Sequence, residues 1–124
     1  MMTIVMNGGK KIGEIQTEFS ALFPYLKLEF YRNHQGKTFS DHDSAIAATV
    51  DVFALTKEYE KQYCIEFSET TTVKELEKKI WKETGIHARV FRKFGKAWLP
   101  VALTSDWTLK LQNEHGETLV NSPG

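Results

Sequence analysis

Hydrophobic residues recur along this chain with two periods, and the clearest helical stretch lies in its second half. Thr72-Val73-Lys74-Glu75 is a capping box: the Thr72 hydroxyl can accept from the backbone N–H of Glu75, and the Glu75 carboxylate can reach back to the N–H of Thr72. Val73, Leu76 and Ile80 follow at helical spacing, and Gly85 offers a C-terminal cap. The spacing predicts a helix over about 72–84. A period of two then takes over. With a two-residue turn at Phe94-Gly95, Lys93 faces Lys96, Phe91 faces Trp98 and Val90 faces Leu99. Side chains alternate along a strand, so Ile86, Ala88, Val90, Leu99, Val101 and Leu103 are expected to share one apolar face and form core. The opposite face carries Phe91 and Trp98 among Arg89, Lys93 and Lys96. Ser105-Asp106-Trp107 then predicts a short helix that ends at Gly116, with a frayed tail beyond.

The first half shows a weaker form of the same pattern. Ile12, Ile15, Phe19, Leu22 and Phe23 mark one helix face, stopped by Pro24. Leu26, Leu28 and Phe30 alternate as a strand, Asn33 to Gly36 read as a turn, and Phe39 falls on a returning strand. Thr3 to Met6 and Cys64 to Phe67 read as short strands. Ile12, Glu14, Ile15 and Phe19 overlay Val73, Glu75, Leu76 and Ile80, each 61 positions on. The overlay points to two strand–helix–hairpin–helix halves, 1–62 and 63–124, within one domain. Between them, Ile46, Val50, Phe53 and Ala54 favour a helix within Asp43 to Leu55, while the alternation of Val50, Val52 and Ala54 leaves a strand open. The fold class expected is α+β: short antiparallel hairpins packed with about four helices.

Composition narrows the function classes. In a chain of 124 residues, 41% hydrophobic and 26% charged residues describe a folding globule and not a disordered segment. The 16 basic and 16 acidic residues cancel, which argues against a general duplex-DNA or membrane-surface binder but leaves room for a local basic patch. No apolar run is long enough for a membrane span or a signal-peptide core, and the lone Cys64 forbids an internal disulfide. A cytoplasmic location is expected.

Three strings in sequence also resemble a group of small bacterial proteins of unknown function. They are Thr72-Val73-Lys74-Glu75-Leu76-Glu77, Val90 through Leu99, and Thr104-Ser105-Asp106-Trp107-Thr108-Leu109 followed by Gln112-Asn113. Phe23-Pro24-Tyr25-Leu26-Lys27 fits as well. The resemblance implies a bacterial cytoplasmic origin and supplies no activity, cofactor or catalytic residue.

Candidate chemistry centres on the hairpin. Phe91 and Trp98, rimmed by Arg89, Lys93 and Lys96, form a surface that can dock a protein partner. The same surface can stack bases of single-stranded RNA, or be internal packing if a helix covers it. Elsewhere the simpler explanations prevail. Asp41, His42, Asp43 and His34 have ligand chemistry, but consecutive residues point alternate ways, which favours a polar turn over a metal site. Cys64 lacks an assigned base and is expected to be buried and inert. Gly8-Gly9-Lys10 lacks the spacing of a phosphate loop and reads as a turn. His115, Glu114, Ser105 and Asp106 belong to helix ends, and Trp81 is expected against the first-half helix or in an apolar patch. The expectation is a non-enzymatic interaction protein without cofactor or metal; an RNA binder is the second choice and a small enzyme the third.

Overall fold

The computed structural model describes residues 1–32, 45–58 and 60–121. It is an α+β fold with five strands and four α-helices among those residues. The order is β1 (Met2–Asn7), α1 (Ile12–Leu22), β2 (Leu26–Tyr31), α2 (Val52–Thr56), β3 (Gln62–Phe67), α3 (Val73–Thr84), β4 (His87–Phe94), β5 (Ala97–Pro100) and α4 (Leu109–Asn121). A 3-10 turn at Ala102–Thr104 precedes α4. The strands make two antiparallel sheets, β1-β3 and β2-β4-β5. Ile4, Met6, Ile65 and Phe67 from one sheet share a core with Leu28, Phe30, Ala88 and Val90 from the other. Ile12, Ile15 and Phe19 of α1 and Val73, Leu76 and Ile80 of α3 complete it.

The helix starts explain the docking. The Thr72–Glu75 box forms as expected, with Glu75 N–H donating to the Thr72 hydroxyl at 3.1 Å and Thr72 N–H to the Glu75 carboxylate at 3.0 Å. Further N–H groups of α3 find partners in a distant segment: Val73 donates to the Trp107 carbonyl and Lys74 to that of Ser105, while Leu109 N–H returns to Thr71. Helix α1 is tied in the same way. Ile12 donates to the Val50 carbonyl and Gly13 to that of Ala48, and Val52 N–H returns to Lys10. The first-half hairpin expected at Asn33 to Phe39 lies outside the described residues, as do His34, Asp41, His42 and Asp43.

Several expectations need correction. The hairpin turn is Gly95-Lys96, so Phe94 pairs with Ala97, Lys93 with Trp98, Arg92 with Leu99 and Phe91 with Pro100. A turn with positive φ at its first central residue suits glycine, and Gly95 has φ 60° where Phe94 would be strained. The slip is two residues, so face parity survives and the Lys93–Lys96 confrontation disappears. Core membership is narrower than parity implied. Ile86, Ala88, Val90 and Val101 are buried, but Leu99 is 43% and Leu103 fully exposed, because β5 stops at Pro100 and the chain turns away.

Among the described residues of Asp43 to Leu55, the expected helix is only the short α2, capped by the Asp51 carboxylate on Phe53 N–H. Gly8 and Gly9 form the expected turn, with Lys10 N–H on the Asn7 carbonyl. Cys64 is exposed, since alternation on β3 sends Tyr63, Ile65 and Phe67 inward instead.

Helix α4 runs through Gly116 and does not end there. Gln112, fully buried, donates to Thr104 and accepts from the Arg92 guanidinium at 3.0 Å. Asn113 accepts from Tyr25 N–H at 2.8 Å. Gly116 is there for closeness: a Cβ at that position would lie 2.9 Å from the Tyr25 Cβ and 3.2 Å from the Tyr25 carbonyl oxygen. Gly116→Ala should therefore destabilise by about 1–3 kcal/mol despite the better helix propensity of alanine. Thermal unfolding checks this, and a raised melting temperature would contradict the close packing.

Candidate functional site

Strand β2 brings two charged residues onto the aromatic face of the hairpin. Leu26, Leu28 and Phe30 point into the core, so Lys27 and Glu29 point outward, opposite Phe91 and Arg89 of β4. Across the other ladder, Lys93 faces Trp98. The Lys27 ammonium lies 5.7 Å from the Phe91 ring centroid and 5.3 Å from that of Trp98. Lys93 adds a second ammonium 4.9 Å from the indole. Each such contact contributes about 0.5–1 kcal/mol at a partly exposed site, because the ring face is electronegative. Glu29 holds Lys27 in place at 3.1 Å.

Of the five residues expected here, Phe91, Trp98, Arg89 and Lys93 are half-buried on this face, and Lys96 sits exposed in the turn. Trp98 is neither sealed in the core nor fully open. Its indole leans over β4 towards a groove of about 660 Å³ walled by Gln16, Thr17 and Ser20 of α1 and by Lys27 and Glu29. Lys27, Glu29 and the α1 wall are additions that the hairpin pattern did not supply. Their outward parity was visible in Leu26-Lys27-Leu28-Glu29-Phe30, but nothing local says that β2 lies beside β4.

Helix α1 fixes this arrangement. Gln16 donates to the Leu28 carbonyl at 2.8 Å and reaches the Glu29 carboxylate at 3.4 Å, and the Ser20 hydroxyl donates to the Leu26 carbonyl at 3.0 Å. These carbonyls lie on the edge of β2 away from β4, where an unpaired group would otherwise need water.

On the other side of the same sheet, Glu77 of α3 does similar work. Its carboxylate accepts from Val90 N–H at 2.8 Å, next to where β5 ends. Burial pushes the Glu77 carboxyl up to about 7, against opposing pulls from the Val90 N–H and the Arg89 charge. Trp81, expected against the first-half helix or in an apolar patch, stacks on His87 with centroids 4.2 Å apart and planes 13° from parallel. His115 lies within α4, edge-on to Trp107 at 5.4 Å.

Among the described residues no three His, Cys, Asp or Glu side chains come together to hold a metal, and no helix is long and apolar enough to cross a membrane. No protein family, curated protein or solved structure matches the chain.

The Glu77 environment sets a pH dependence. A carboxyl raised from 4.5 to about 7 keeps its proton in the folded state where the unfolded chain has lost it. The stability it contributes is present below about 4.5 and is lost as pH rises through about 7. Glu77→Gln keeps an acceptor for Val90 N–H without the charge. Its melting temperature should exceed that of the wild type by a margin that grows over this interval and then levels off. A margin independent of pH would contradict the assignment.

Proposed function

We propose that the protein is a non-enzymatic cytoplasmic binding module, of bacterial origin, whose Phe91/Trp98 face docks an acidic segment of a partner protein. The observation that carries this reading is the Lys27 ammonium held between both rings, with Lys93 on the indole. A half-buried aromatic pair edged with cations suits a partner that brings carboxylates to the lysines and apolar groups to the rings. The neighbouring groove, walled by the small and polar residues Thr17 and Ser20 on α1, gives such a segment room beside Trp98. A nucleic-acid base would have to displace the ammonium groups before it could stack, which makes RNA the second choice. An exposed thiol at Cys64 suits a reducing compartment.

Affinity capture from the native host tests this with three baits: wild type, Trp98→Ala and Lys27→Glu/Lys93→Glu. The wild type should retain a specific protein that salt releases and nuclease does not. Both variants should lose it while melting within a few degrees of the wild type. Release by nuclease would transfer the face to RNA, and equal capture by all three baits would refute the assignment of the site.

A further inference from the structure

A second cleft, between α3 and β4, has about 380 Å³ of space. That is near the lower end of the range for small-molecule sites. It is lined by Lys74, Glu77, Lys78, Trp81, His87 and Arg89, together with Ala88. Apart from Arg89, it shares no residue with the docking face, and it does not depend on the function proposed for that face.

Its charges are of both signs. Glu77 sits on the α3–β4 contact, anchored through one oxygen by the Val90 N–H. Lys74, Lys78 and Arg89 stand around it on the same two elements. The other segments packed on α3 carry Glu66 and Asp106, and neither lines the cleft. One wall is the flat Trp81–His87 stack, with Trp81 38% exposed. A simple anion entering here would meet the Glu77 carboxylate. A simple amine would meet three cations. A ligand that carries both charges a few ångströms apart satisfies both sets, and a planar side chain would extend the ring stack.

The geometry points to a binding site for a free α-amino acid with a planar side chain: ammonium on Glu77, carboxylate among Lys74, Lys78 and Arg89, ring against Trp81. Burial raises the Glu77 carboxyl, and an ammonium bound to it would favour its ionised form. Affinity should therefore rise with pH as Glu77 ionises through about 7, while the ligand ammonium stays protonated.

NMR titration of the full chain with L-phenylalanine tests this, alongside N-acetyl-L-phenylalanine, which lacks the ammonium, and 2-phenylethylamine, which lacks the carboxylate and keeps its ammonium throughout the pH range used. Shifts should centre on the Trp81 indole, His87 and the Val90 amide, with both derivatives about tenfold weaker or worse. Binding should strengthen from about pH 6 to 8, and Glu77→Gln should weaken it about tenfold and abolish the pH trend. Lys78→Ala, an exposed change that spares the fold, should weaken L-phenylalanine and leave 2-phenylethylamine unaffected. No shift at millimolar ligand would overturn the proposal. So would equal binding of the acetyl derivative, which would mark a plain anion site, or of 2-phenylethylamine, which would mark a plain amine site.

Discussion

Two small open sheets expose backbone edges, and closing those edges with helix side chains is the constraint on which the molecule depends. A row of unpaired N–H and C=O groups beside a hydrophobic core is costly to bury and hazardous to expose. Here Gln16 and Ser20 of α1 cover the carbonyls of Leu28 and Leu26 on β2. Lys10 reaches the Val5 carbonyl on β1, and Lys79 that of Glu66 on β3. Glu77 takes the Val90 N–H where β5 has ended. Strand β5 itself is only four residues long and closes on Pro100. A short edge that ends in proline offers little to another chain's strand.

This constraint also orients the two surfaces of interest. Pinning β2 from its outer edge leaves Lys27 facing away from the core and beneath the rings of Phe91 and Trp98. Pinning β4 through Glu77 places a carboxylate, buried enough to resist ionisation, beside Arg89 and the Trp81–His87 stack. The polar groups that close the sheets therefore line the clefts as well, as Gln16 and Glu77 do.

Local chemistry was legible where the determinants lie within a few residues. The Thr72 box, the Gly85 cap, the Pro24 stop and the alternation of β2 and β4 all follow from neighbours in sequence. Hairpin parity was legible but register was not, because a slip of two residues keeps every side chain on its face. Only the φ required at Gly95 decides between the two turns. Gly116 misled for a related reason: glycine can end a helix or admit close contact, and the contact is with Tyr25, far away in the chain. Cys64 illustrates the limit of residue-type preference, since alternation on β3 overrides the usual burial of a thiol. The neighbour of β2, and with it Lys27, depends on non-local pairing that no window of the sequence contains.

The most direct test of this account is the NMR chemical shift of the Lys27 ε-methylene protons. With β2 held by Gln16 and Ser20, the Lys27 ammonium lies 5.7 and 5.3 Å from the two ring centroids, so the adjoining ε-methylene protons should be displaced upfield by their ring currents. The displacement should shrink in Trp98→Ala and collapse when Gln16 and Ser20 are both replaced by alanine in a chain that remains folded. Lys27 resonances at unstructured-peptide positions in the wild type would show that the edge closure does not assemble the site.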